Sequence, residues 1–108
     1  MEVFTNFTNN EIIEKLRGYE RIDNISIVPL NTHIRYFRKE PGGSLSFQLG
    51  GFLFDKQNSD KYIILTNGKA AWSVQTNMNI LFKKMSIKEE IDFINKQYQK
   101  ILNEKYHQ

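Results

Sequence analysis

The segment that most constrains the fold runs from residue 48 to residue 75, where two apolar runs meet at Asn67-Gly68. Asn-Gly between extended apolar runs is the strongest short-range signal for a β-hairpin, because both residues tolerate the positive φ of a tight turn. A second glycine pair, Gly50-Gly51, interrupts the preceding apolar run, and glycine inside a strand is typical of a bulge or bend. The pattern predicts a small, strongly curved antiparallel sheet.

The composition indicates one globular domain over residues 1–108. The chain is 40% apolar and 13% aromatic, which is enough to form a core. It contains no cysteine, which excludes disulfides, thiolate metal sites and thiol catalysis. Its formal charge of +3 is mildly basic, well below that of a protein that coats nucleic acid. No segment is long and apolar enough to suggest a membrane span, and the first residues lack a secretory leader pattern.

A helix is predicted at each end of the chain. Over residues 4–18, Thr8 and Glu11 have the spacing of a capping box, and Gly18 is placed to end the helix. Over residues 86–105 a second capping box, Ser86 with Glu89, opens a longer amphipathic helix. Its apolar positions recur at four- and three-residue spacing: Ile87, Ile91, Ile94, Tyr98 and Ile101.

Between the helices, residues 25–85 read as short strands separated by turns, with extended segments at 25–28, 32–39, 45–56, 62–66, 69–75 and 80–84. The predicted fold is α+β: a small antiparallel SH3-like or Tudor-like β-barrel with a short N-terminal helix and a long C-terminal helix. The predicted core comprises Ile34, Tyr36, Leu49, Leu53, Ile64, Trp72, Val74, Leu81, Ile91, Ile94, Tyr98 and Ile101.

No catalytic, metal or nucleotide motif is apparent. The two histidines, His33 and His107, have no companion ligands at metal-binding spacing. Ser73 lacks the flanking glycines of a nucleophile elbow, and the Asn67-Gly68-Lys69 triplet is better explained as a turn than as part of a phosphate loop. We therefore expect a protein that is not an enzyme and that uses no cofactor or metal.

A basic and aromatic strand face is the predicted binding surface. Strand alternation places His33, Arg35, Phe37 and Lys39 on one face, and Lys83 and Lys84 precede the last helix. Such a surface suits a protein partner in an interaction or scaffolding role. The alternative is nucleic-acid binding, in which cations neutralise phosphates and rings stack on bases. Scattered lysines that only confer solubility would produce the same pattern.

The stripe of the C-terminal helix has two interpretations. Docking on the chain's own barrel is the simpler one, because a small sheet leaves an opening to be covered. Pairing with the same helix of a second copy, as a homodimer, is the other. Trp72 shares a strand face with Val74, which favours an inward position in the core over a binding hot spot.

Four segments together resemble small uncharacterised β-barrel-type proteins of nucleocytoplasmic large DNA viruses. They are T-x-I-R-Y at 32–36, L-G-G at 49–51, L-T-N-G-K at 65–69 and W-S-V-Q at 72–75, with Thr66 where the pattern has serine. The resemblance covers about residues 25–85. It implies an intracellular viral protein, in the host cytoplasm, viral factory or nucleus, or packaged in the virion, and it implies no activity.

Overall fold

The computed structural model describes residues 7–106. Within them lie two α-helices, α1 (Asn9–Leu16) and α2 (Ile87–Tyr106), and a short 3-10 turn at Ile25–Ile27. The strands are β1 (Tyr19–Arg21), β2 (His33–Lys39), β3 (Leu45–Asp55), β4 (Tyr62–Thr66), β5 (Ala71–Gln75) and β6 (Asn79–Lys84). Residues 4–6 of the predicted first helix, and His107, lie outside the described residues.

The strands form one antiparallel sheet in the order β1-β6-β2-β3-β4-β5. This confirms the predicted mixed α+β architecture with an antiparallel sheet. The sheet is not closed into a barrel: β1 and β5 are its two edges, and no pairing joins them among residues 7–106. Strand β1 was not predicted, and its addition at one edge gives the sheet its sixth strand.

The predicted bend at the glycine pair is a β-bulge in β3. Ile34 pairs with Gly51 while Tyr36 pairs with Gln48, so two residues of β3 oppose one of β2. Gly50 takes a φ of +77°, which an L side chain rarely adopts. The extra residue turns Leu49 outward, leaving it 45% exposed, and its predicted place in the core is therefore wrong.

The main core lies on the inner face of the sheet and consists of Val28, Ile34, Tyr36, Leu53, Ile63, Leu65, Val74 and Leu81. Five of these were predicted, and Trp72 packs against them partly buried. The segment predicted as an edge strand at 25–28 is instead the 3-10 turn, which places Val28 against the sheet with 2% of its surface exposed. This segment covers the core. Ile64, also predicted inside, is only half-buried because Ile63 and Leu65 face inward.

Helix α1 covers the opposite face of the sheet. The capping box of Thr8 and Glu11 is formed, with both reciprocal hydrogen bonds in place. Ile12 is buried, and the Phe7 ring meets Phe47 edge-on with centroids 5.9 Å apart. Phe37 packs on the same ring. The sheet is thus covered on both sides without any contribution from α2.

Helix α2 extends away from the sheet. The predicted capping box of Ser86 and Glu89 starts it. The apolar positions predicted to join the core are instead 53% to 63% exposed, so that prediction is wrong: Ile91, Ile94, Tyr98 and Ile101. The physical reason is that the 3-10 segment and α1 already occupy the two faces that a docked helix would cover.

The hairpin between β4 and β5 turns on Gly68 and Lys69. Gly68 has a φ of +89°, whereas Asn67 and Lys69 do not have positive φ values. A positive φ at the first central residue alone is the pattern of a type II′ turn, so the expected tight turn with both Asn67 and Gly68 at positive φ, which is type I′, is wrong. Asn67 acts through its side chain, whose Oδ1 accepts from the backbone N–H groups of Lys69 and Ala70.

Replacing Gly68 with valine should destabilise the protein. A Cβ at this position would meet nothing within 4 Å, so the cost is backbone strain alone. Holding a β-branched residue at positive φ costs about 1–2 kcal/mol. Thermal unfolding should show a lower melting temperature for Gly68→Val than for the control Lys69→Val, and equal values would contradict this turn.

Candidate functional site

The four residues predicted to form the basic face do lie on the same face of β2, but most of their side chains are partly covered. His33, Arg35 and Phe37 are half-buried, and Lys39 is exposed at the end of the strand. Phe37 lies against Phe47 and Phe82, in ring contacts with centroids 5.2 Å and 5.9 Å away. The sequence could not reveal this cover, because it comes from α1 and from the Tyr19 side chain of β1, which lie far from β2 in the chain.

Arg35 is held by the N-terminal part of the chain. Its Nη1 donates to the carbonyl of Lys15 in the last turn of α1, where a cation also interacts favourably with the helix dipole. The guanidinium lies over the Tyr19 ring, 4.9 Å from the centroid. Its Nε is buried without a hydrogen-bond partner among the described residues. Arg35 thus joins α1 to the sheet and packs against the Tyr19 side chain of β1.

His33 is joined to β1 through a polar contact. The Tyr19 hydroxyl lies 2.8 Å from its Nδ1. Burial lowers the pKa of His33, and the nearby charges of Arg35 and Lys84 lower it further. Burial also raises the pKa of Tyr19, so the phenol keeps its proton and can donate to the neutral imidazole. His33 also makes an edge-on ring contact with Phe52, with the ring centroids 4.9 Å apart.

Lys83 forms ion pairs at the base of α2. Its Nζ lies 3.1 Å from Glu20 and 2.5 Å from Glu89, and its side chain is only 19% exposed. Hydrogen bonding to Glu89 is the main reason that the pKa of Lys83 is raised, and the same bond lowers the pKa of Glu89. Lys83 therefore ties β1, β6 and the first turn of α2 together.

The structure brings three of the six predicted site residues to one place. His33, Lys83 and Lys84 line a shallow pocket of about 460 Å³ beside the start of α2. Lys84 is exposed there. Lys39 lies elsewhere, beside Asn79 at the opposite end of β2. The six residues do not form one continuous surface, and their binding role stays a prediction.

The depressed pKa of His33 predicts acid sensitivity. Below the ordinary value of 6.5, the unfolded chain binds a proton at this position that the folded chain resists, so stability rises with pH across this window and falls as the pH drops through it. The free energy of unfolding, measured in urea from about pH 8 to about pH 5, should fall more steeply for the wild type than for His33→Gln. Lys84→Gln should weaken the dependence by removing a repelling charge. Identical pH profiles for the wild type, His33→Gln and Lys84→Gln would contradict this prediction.

A row of exposed apolar side chains runs along α2. We call the residues Ile87, Ile91, Ile94, Tyr98 and Ile101 the α2 stripe. Each is more than half exposed, up to 78% for Ile87. Neighbouring positions carry charged or amide side chains, among them Glu90, Asn95 and Gln97. Apolar patches of this kind, rimmed by polar residues, mark interaction sites.

The described residues contain neither a membrane-spanning helix nor a cluster of metal-ligating side chains. Across residues 7–106, no helix combines the length and the apolar character needed to cross a membrane. In the same part of the chain, no three potential metal-ligating side chains of His, Cys, Asp or Glu converge.

The chain is similar in sequence to a viral protein. Over 95 residues it is 53% identical to an uncharacterized protein of Acanthamoeba polyphaga mimivirus. The alignment covers 88% of this chain and 63% of that relative, so the chain spans less than two thirds of its length. The similarity supports the resemblance to giant-virus proteins. No family model matches the chain, and no solved structure matches it.

Proposed function

We propose that the chain is a non-enzymatic protein-interaction module of a large DNA virus that self-associates through α2 and so acts in scaffolding. The observation that carries this proposal is the exposed α2 stripe. Isoleucine is too apolar to line a solvated helix face repeatedly without a partner, and burying one such side chain contributes about 1.5–3 kcal/mol. The similarity to a mimivirus protein supports the viral setting, in the infected cell or the virion.

The spacing of the stripe favours another helix as the partner. Positions 87, 91, 94, 98 and 101 alternate steps of four and three, which is the 3.5-residue seam of a coiled coil. A helix that docks on a globular surface typically presents a broader apolar face. With Ile94 and Ile101 at d positions and Ile91 at an a position, the seam favours parallel assemblies of three or four helices over a dimer.

Charge selects the parallel orientation. In a parallel arrangement, Glu90 lies opposite Asn95 of the neighbouring helix and Gln97 lies opposite Leu102, so no like charges meet. In the antiparallel register that buries residues 91 to 101 of both copies, with Ile91 packed against Ile101, Glu90 faces Glu104 of the second copy, which is repulsive. A second copy of this chain therefore complements the stripe best with both helices pointing the same way, and all the sheets then lie at one end.

Solution mass tests the proposal. The monomer is 12.8 kDa, and light scattering after size exclusion should give a multiple of that mass that grows with concentration. Ile94→Lys places a charge in the seam and should return the protein to the monomer mass. The control Gln99→Lys adds the same charge on the opposite helix face and should leave the mass unchanged.

A wild-type protein that stays monomeric at all accessible concentrations would overturn self-association. So would an assembly that Ile94→Lys and Gln99→Lys disrupt equally, because the loss would then reflect net charge. Circular dichroism of both variants should show the wild-type helix content.

Nucleic-acid binding through the basic face stays the alternative prediction. Arg35 and Lys83 make internal contacts, and only Lys39 and Lys84 of the six predicted residues are exposed. A gel-shift titration at two salt concentrations tests it, since phosphate binding weakens steeply with salt. The SH3-like or Tudor-like arrangement likewise stays a prediction. The sheet is open at β1 and β5, so it does not show the closed barrel of that arrangement.

A further inference from the structure

A groove of about 1090 Å³ lies beside β5, an edge strand of the sheet. It separates β5, the last strand of the sheet, from the first half of β3. Pairing between β3 and β4 starts only at Phe52, so residues 45–50 of β3 pair with β2 on one side alone among the described residues. We call this opening the β5 groove and define it by Ser46, Gln48, Leu49, Trp72, Ser73 and Gln75, which all line it.

Both walls of the β5 groove are strand edges. The Thr76 N–H donates to the Lys61 carbonyl, and the Asn67 N–H donates to the Ala70 carbonyl. Because hydrogen-bonded pairs alternate in an antiparallel ladder, the even-numbered residues of β5 bond to β4 through their backbone groups. The odd-numbered residues turn their backbone N–H and C=O groups away from β4. Ser73 therefore turns its N–H and C=O toward the groove. On the other wall, Glu40 N–H donates to the Ser44 carbonyl, so by the same alternation Phe47 turns its backbone groups away from β2.

The floor of the groove is aromatic and polar. The Trp72 indole donates to the Tyr36 hydroxyl over 3.2 Å. The Trp72 ring rests on Gly51, where an added Cβ would lie 3.0 Å from its Cη2. Gln48 donates to the Ser46 hydroxyl over 2.8 Å. Such a floor offers flat apolar contact with a few hydrogen-bonding groups, which suits an extended peptide.

The charge of the groove points to an acidic occupant. Its described lining includes Arg38 and Lys39 and no carboxylate. Glu40, outside the lining, pairs with Arg38 at 2.9 Å. The Lys39 ammonium makes no ion pair with any residue from 7 to 106. An incoming strand with a carboxylate near this end of the groove would form an ion pair with the Lys39 ammonium.

We propose that the β5 groove binds an extended acidic peptide segment of a partner protein, which adds as a strand to β5. Exposed strand edges are common peptide-binding sites, because main-chain hydrogen bonds provide affinity and alternate side chains provide specificity. Exposed edges are also normally blunted or covered in folded proteins. This site is distinct from the α2 stripe, so Ile94→Lys should leave peptide binding unchanged.

The probe is a library of short random peptides displayed on phage and panned against the full chain. Enriched peptides should be acidic with alternating β-branched residues. Trp72 is the only tryptophan, so its fluorescence reports directly on the groove, and a synthetic enriched peptide should change it saturably. N-methylation of alternate peptide amides should abolish binding, because it removes strand pairing while the side chains remain.

Protein variants locate the site. Ser73→Pro removes the outward N–H without touching the ladder to β4, and it should weaken binding more than tenfold while Ser73→Ala does not. Lys39→Glu should weaken binding about fivefold, and the control Lys69→Glu should not. If Ser73→Pro does not fold, the N-methylated peptide and Lys39→Glu still decide the question.

Three outcomes would overturn the proposal. One is a panning experiment that enriches no peptide. Another is binding that survives both N-methylation and Lys39→Glu. The third is a solution mass that falls on Ser73→Pro or Lys39→Glu but not on Ile94→Lys, which would assign the β5 groove to a second copy of this chain.

Discussion

Replacing Gly50 with alanine should remove a large part of the free energy that stabilises the native fold. An added Cβ would lie 1.7 Å from the carbonyl oxygen of Ile34 and 2.7 Å from its carbonyl carbon. These are backbone atoms of the adjacent central strand, so relief requires β2 and β3 to separate where the sheet bends. Together with a φ of +77°, this should cost about 4 kcal/mol or more, out of a typical total of about 5–15 kcal/mol.

The control for this substitution is Gly43→Ala. Gly43 also has a positive φ, of +90°, but an added Cβ there meets nothing within 4 Å. Gly43→Ala should lower the free energy of unfolding only through the strain of a positive φ, by about 1 kcal/mol. Urea unfolding should therefore show a far lower free energy of unfolding for Gly50→Ala than for Gly43→Ala, which should stay close to the wild type. Equal losses for the two variants would contradict the close approach of β2 to the bulge.

Local signals allowed most of the strands to be predicted. Turn glycines and period-two alternation mark β2 to β6, and Ser86 with Glu89 marks the start of α2. These features depend on neighbours in the chain, which the sequence displays. The three-residue β1 has no periodic pattern to detect, and it exists because β6 offers it an edge.

Side-chain direction was harder to predict where the register matters. Trp72 pairs with Leu65, so inward placement of Trp72 implies inward placement of Leu65 and Ile63, and not of Ile64. A shift of one residue moves a strand's whole apolar set to the other face. The bulge at Gly50 caused the same error for Leu49, because an inserted residue breaks the alternation on which the assignment depended.

The candidate site shows the limit of reading charge from sequence. His33, Arg35 and Phe37 do share a face, as alternation requires, yet α1 and the Tyr19 side chain cover much of that face. Lys83 appears as a free cation beside Lys84 until Glu20, from a distant segment, pairs with it. Contacts between segments that are far apart in the chain decide which basic residues reach solvent, and no local pattern carries that information.

Leu65→Ala should cost about 2–5 kcal/mol, because Leu65 is 0% exposed and its loss leaves a cavity that the surrounding sheet can only partly fill. Ile94→Ala removes a similar amount of apolar surface from a side chain that is 63% exposed. In the monomer it should change the free energy of unfolding by less than about 0.5 kcal/mol. The two substitutions therefore distinguish a core within the sheet from one that includes α2.

Protein concentration must be controlled in this comparison, because association through α2 adds stability that depends on concentration. At the lowest concentration that gives a urea unfolding curve, only Leu65→Ala should lower the midpoint substantially. At high concentration, Ile94→Ala should also lose stability relative to the wild type if the α2 stripe assembles. Comparable losses at low concentration would mean that α2 packs on its own sheet and contributes to the same core.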